Sequence, residues 1–230
     1  MTSCFSQPGV TMSERSRFHF HFDWAKARLD EMDAALASLE RQVREAKTVS
    51  REKAEPLIAV LRRRRQAFEQ AVNTWGQAED AAWQHGGAEL ERQWDGFMAE
   101  VDRTVDAIGL QAAAHQEMFR DLAAAQQKAW HHAREKLRRA AAVFVDDRRT
   151  EIEHAALQME GESSKAQARL KNLMTAASES RGALNAALGE SRASFDRAIR
   201  AAEDAFGRAA RPGTSSKPDS RAEVSRSSTS

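Results

Sequence analysis

Tyrosine is absent from this chain, cysteine occurs once and proline only four times in 230 residues. Each shortage excludes something. A lone cysteine, Cys4, forms no disulfide within the chain and leaves no Cys-x-x-Cys pair to hold zinc. No run alternates apolar and polar residues over β-branched side chains, so there is little material for a sheet. No stretch approaches the roughly 18 apolar residues of a membrane span, and the start lacks a basic region followed by an apolar core. Excess charge is missing too: 35 Lys and Arg stand against 34 Asp and Glu, interspersed, for a net charge of +1. That balance gives no electrostatic preference for nucleic acid, and no specific nucleic-acid binding is expected. Cytoplasm is the expected compartment.

What the chain does have is helix-forming residues in a repeating order. Ala, Glu, Arg, Gln and Leu dominate, which is an all-α composition. Ala25, Leu29, Met32, Leu36, Leu39, Val43 and Ala46 recur at unbroken 4-3 spacing. That spacing averages about 3.5 residues and draws one narrow apolar seam along a helix, with charged residues on the outer faces, densely over 31–41. A mean hydropathy of -0.66 suits such seams better than wide buried faces. After Pro56 the rhythm changes. Leu61, Val72, Trp83, Trp94 and Val105 are eleven residues apart, and Arg64, Trp75, Gly86, Phe97 and Ile108 follow three positions later. Eleven residues in three turns is close to a straight helix with little supercoil.

Punctuation divides the seam. A stop or kink is expected between Ser50 and Pro56, a turn at Ile108-Gly109-Leu110, and another at Gly161-Glu162-Ser163-Ser164. Phe18-His19-Phe20-His21-Phe22 alternates like a strand but runs straight into the first seam, which suits an aromatic clamp at a helix entrance. The last part restores the heptad with Ala166, Leu170, Leu173, Ala177, Leu184, Leu188, Phe195, Ile199, Ala202 and Phe206. The segments are a disordered leader (1–16), helices near 18–50, 56–108, 112–159 and 163–210, and a disordered Ser-rich tail (211–230).

Residues with chemical potential do not converge. Glu151-x-x-His154 is half of what a carboxylate-bridged di-metal bundle takes from two helices, and its second copy is missing. His131 and His132 are adjacent, hence about 100° apart on a helix, a poor chelate. No Gly-rich phosphate loop or nucleophile elbow occurs. The expectation is therefore no catalytic residue, no cofactor, no metal and no small-molecule substrate. Arg62-Arg63-Arg64-Arg65 after Leu57-Ile58-Ala59-Val60-Leu61 reads as a basic surface contact or, more simply, as four arginines spread round a helix.

The segment Trp24-Ala25-Lys26-Ala27-Arg28-Leu29-Asp30-Glu31-Met32-Asp33-Ala34-Ala35-Leu36, with Ala82-Trp83 and, eleven positions on, Trp94-Asp95, resembles a family of small bacterial coiled-coil stress-response proteins. The resemblance covers 22–108 and departs from the family at Pro56, at Gly86-Gly87 and in the added half after 116. It implies a helical, stress-related protein with no catalytic residues to carry over.

These readings converge on an elongated antiparallel helical bundle or coiled coil, non-enzymatic, acting as an interaction or scaffold protein on itself or another helical protein. Leu29, Leu36, Leu39, Trp83, Trp94, Phe97, Leu170 and Phe195 form the expected interaction seam. The alternative is an amphipathic binder of membrane lipid or hydrophobic granules, like an apolipoprotein or phasin, because eleven-residue amphipathic repeats occur in both.

Overall fold

A computed structural model of the chain describes residues 12–45, 48–75, 80–142, 144, 147–175 and 181–209, with side chains over 20–45, 51–75, 86–142, 144, 149–173 and 181–209. Most of the expected leader and all of the expected tail lie outside the described residues. Helices occupy nearly all of the rest: α1 (Met12–Glu45), α2 (Thr48–Trp75), α3 (Asp80–Ile108), α4 (Ala112–Ala141), α5 (Asp147–Thr175) and α6 (Arg181–Ala209). The all-α bundle expected from composition is the fold.

The helices run up and down. Arg62 and Arg65 of α2 reach Glu40 and Asp33 of α1, so one number rises as the other falls. Arg41 of α1 meets Asp121 of α4 while Asp23 meets Lys136, and Arg169 and Glu151 of α5 meet Glu190 and Arg208 of α6. Each of these pairs is antiparallel. Helix α1 is the hub, packing on α2, α3, α4 and α6, whereas α5 packs only on α4 and α6.

The helix count differs from the four expected. Periodicity over 56–108 is shared by α2 and α3, and that over 112–210 by α4, α5 and α6. The seam pattern carries across these boundaries because each helix turns an apolar stripe toward its neighbours. Helices of 28 to 34 residues are about 42–51 Å long and match one another, whereas a helix over 56–108 would overhang its partners. Pro56 neither stops nor starts a helix: α2 runs through it, with the Pro56 side chain exposed. The turn expected at 161–164 is likewise helical, inside α5. Its single glycine costs about 1 kcal/mol relative to alanine, which packing on two neighbours offsets.

The stop at Gly109 is as expected. Gly109 has φ +63°, its N–H donates to the Asp106 carbonyl at 3.2 Å, and the Leu110 N–H donates to the Val105 carbonyl at 3.4 Å. This paired arrangement satisfies the last carbonyls of α3 and needs a residue without Cβ strain. The aromatic–histidine stretch is not a helix entrance, since α1 begins at Met12. Within it Phe20 packs on Phe206 at 5.1 Å between ring centroids, and Phe144 packs on the same ring at 5.7 Å.

Two apolar cores result. One gathers Met32, Leu36, Leu39, Leu61, Phe68, Trp94 and Phe97 with the early turns of α4 and α6; the other gathers Phe20, Trp130, Leu137, Ile152, Met159, Phe195 and Phe206. Burial of such side chains contributes about 1.5–3 kcal/mol each and drives the assembly.

Candidate functional site

Where the two cores meet, the interior is charged. Glu31, fully buried, stands one turn from Arg28, which is 2% exposed, and the Arg28 guanidinium donates to Glu31 Oε1 at 3.0 Å. Helix α4 brings Gln126, whose amide N–H donates to the same oxygen at 2.7 Å. Helix α6 brings Ser191, donating to Gln126 Oε1 at 3.0 Å, and Arg192, donating to Glu31 Oε2 at 2.6 Å. One turn further along α6, Asp196 accepts from Arg28 at 2.7 and 2.8 Å.

Aromatic rings close the cluster. Arg28 lies 5.4 Å from the Trp24 ring centroid and 5.2 Å from that of Trp94, and Arg192 approaches Trp94 to 5.2 Å. Two guanidiniums on one indole are each attracted to its π face, more strongly away from water. Burial pushes the Asp196 carboxyl above its ordinary value, with Arg28 and then Arg200 pulling it back down. Formal charges balance: Arg28 and Arg192 against Glu31 and Asp196. Both Glu31 oxygens are taken by donors, so this carboxylate is held by its neighbours instead of facing a cavity. The arrangement suits holding α1, α3, α4 and α6 in one register, the best-attested use of buried polar groups.

Further charged contacts join the helices away from this cluster. Arg181 of α6 reaches Asp102 of α3 at 2.7 Å and also Asp106; hydrogen bonding to Asp102 holds its guanidinium above the ordinary value. Asp23, 5% exposed, accepts from Lys136 at 2.7 Å.

The expected seam residues lie in the chain's own interior. Leu36, Leu39, Trp94 and Phe97 are buried in the first core with Leu170, Phe195 is buried in the second, and Leu29 packs partly buried against the first. The Trp83 side chain lies outside the described residues. The eleven-residue positions Leu61, Val72, Trp94 and Val105 are buried together. Of the four arginines, Arg62 pairs with Glu40 at 2.7 Å, Arg65 with Asp33 at 2.8 Å, and Arg64 stands 3.9 Å from Glu100, so they do spread round the helix. Glu151 pairs with Arg208 and His154 is exposed. Among the described residues no group of three or more His, Cys, Asp or Glu could hold a metal.

The charged layer itself corrects one expectation. A narrow seam puts the charges of α1 from 31 onward on outer faces, yet Glu31 is fully buried, because α1 is packed on by four helices that leave only a thin outer stripe with Asp33 and Ala37 exposed. The sequence carries a signal for it. The seam of α4 skips from Leu122 to Ala129 and that of α6 from Leu188 to Phe195, and Gln126 and Ser191 occupy the two gaps.

Comparison of the chain with protein-family models, with curated proteins and with solved structures found no match.

Proposed function

We propose that this chain is a non-enzymatic helical-bundle protein of the interaction or scaffold kind, stress-related and cytoplasmic, engaging another helical protein or a second copy. The observation that carries this is the committed interior. Two guanidiniums and two carboxylates pair around Trp94 while the seams fill two cores, so the bundle offers a partner a set outer surface of mixed charge.

The lipid- or granule-binding alternative rests on a different feature. Phe22 and Leu157 are the exposed large hydrophobic side chains among the described residues, so a surface binder has to open, turning its cores outward. No described helix is long and apolar enough to cross a membrane. Helices α1, α4 and α6 run through both cores, so such an opening parts helix from helix and breaks the ion pairs that join α1 to α6.

Light scattering across a concentration series, with vesicle co-sedimentation read by tryptophan emission, tests the two readings. The interaction reading expects blue-shifted emission in buffer from Trp94 and Trp130, 6% and 2% exposed, and no change with vesicles. A mass that rises with concentration identifies a second copy as partner. Red emission that turns blue only with vesicles refutes the reading in favour of the alternative.

A further inference from the structure

Helix α5 is covered on one side only. It packs on α4 and α6, with Ile152, Met159 and Leu170 buried on the covered side. At about 100° per residue, Thr150, His154, Leu157, Gly161, Ser164 and Ala168 form a row on the opposite side. All six are exposed.

That row differs from an ordinary solvated face in two ways. It keeps an unbroken 4-3 spacing, that of a coiled-coil seam, and it holds no Lys, Arg, Asp or Glu in a chain of which 30% is charged. Leu157, in its middle, is 67% exposed, against 37% for Phe22. A Cβ added at Gly161 would meet nothing within 4 Å. No contact inside this chain therefore calls for a glycine there, although it weakens the helix.

Charge runs along one flank of the row with a direction. Glu153 near its start and Lys171 just past its end both lie about 40° to the same side of Leu157. Glu153 pairs with Arg149 of its own helix at 2.6 Å. Lys171 is exposed and pairs with no carboxylate among the described residues.

We propose that two copies of the chain meet along this row, α5 against α5 and antiparallel, about a twofold axis between Gly161 and Ser164. This rests on the reading that the chain works through helix contacts. A twofold contact has to be self-complementary, and this row is. Leu157 of each copy falls on Ala168 of the other, while the small Gly161 and Ser164 meet at the axis and let the helices approach. An antiparallel twofold also brings like flanks together, so Glu153 of each copy faces Lys171 of the other. A parallel pair leaves those charges about 27 Å apart. The net charge of +1 sets little repulsion between copies. One helix from each copy makes an interface below about 1,200 Å² in total, so the dimer is a weak one.

Sedimentation equilibrium of the full-length protein from about 10 µM to about 1 mM tests this, and the mass is expected to rise from one chain toward two. Leu157→Asp and Gly161→Glu should each hold it at one chain with helicity unchanged, because Leu157 is largely exposed and the space at Gly161 is open. Glu153→Lys or Lys171→Glu alone should weaken the dimer several-fold. The two together should restore it, which a merely structural role of either residue does not produce.

A single chain at about 1 mM overturns the proposal and leaves the interaction reading to other helical partners. A dimer that persists in Leu157→Asp and Gly161→Glu overturns it too, since the copies then meet elsewhere. Failure of the double charge change to restore the dimer refutes the antiparallel arrangement. Co-sedimentation with phosphatidylcholine–phosphatidylglycerol vesicles by a single chain, abolished in Leu157→Asp, gives the row to lipid and refutes both the dimer and the reading it rests on.

Discussion

Replacing Glu31 by alanine removes one carboxylate from a fully buried position. Glu31 is fully buried and accepts from Arg28 at 3.0 Å, Gln126 at 2.7 Å and Arg192 at 2.6 Å. Its loss changes the cluster from neutral to one net positive charge, leaving Arg28 on Asp196 and Arg192 without its carboxylate. Breaking a buried pair by deleting one partner costs about 3–5 kcal/mol. A domain of this size shifts its midpoint by about 2–4 °C per kcal/mol, so the variant should melt about 6–20 °C below the parent. Glu31→Gln keeps an acceptor for Gln126 or Arg192 and should lose less. Glu153→Ala provides the control, since the exposed Arg149–Glu153 pair at 2.6 Å is worth only about 0.3–0.5 kcal/mol. Thermal and urea melts followed at 222 nm, a helix signal, measure all three. A Glu31→Ala midpoint within about 2 °C of the parent would falsify the charged layer as a cohesive element. An Arg192→Ala and Glu31→Ala double-mutant cycle then tests the coupling directly, with additive losses arguing against it.

Other consequences are narrower. Gly86→Ala places a Cβ 2.5 Å from the Trp75 ring and should destabilise the α2–α3 corner, whereas Gly87→Ala meets nothing within 4 Å and should stabilise by about 1 kcal/mol; paired urea melts with the order reversed would sink this packing. Leu39→Ala empties a fully buried position and should cost about 2–5 kcal/mol, while Leu36→Asp should lower helicity itself, not only an oligomer mass; unchanged circular dichroism contradicts that. Burial, then the nearby Arg181, lowers the His115 pKa from its ordinary 6.5, against the upward pull of Asp106 and Asp102. A lowered folded pKa means the unfolded chain binds the extra proton first. Stability from His115 is thus present above about pH 6.5 and is lost as pH falls through its folded value. His115→Gln should flatten that part of the stability profile between pH 7.5 and 5, and an identical slope in both proteins refutes it.

Part of this architecture is legible in the order of residues. The burial of Leu36, Leu39, Trp94, Phe97, Leu170 and Phe195 follows from helical spacing, which keeps its meaning whatever the helices pack on. The stop at Gly109 follows from local backbone sterics. The turn expected at 161–164 does not form because Gly and Ser there are only weak breakers, and two flanking helices outweigh them. Glu31 escapes the seam argument for a similar reason: a narrow seam presumes one neighbour, and α1 has four.

Periodicity and backbone sterics act within a few residues, so the amino-acid sequence is enough to make this chain helical, to set where its helices bury their apolar stripes and to end α3 at a glycine. Packing in three dimensions settles the rest: α1 becomes the hub, residues 168 positions apart, Arg28 and Asp196, meet in one charged layer, and α5, packed on two helices, keeps its outer row exposed. Those outcomes depend on which helix faces which, and contacts between distant segments leave no period in the chain to read.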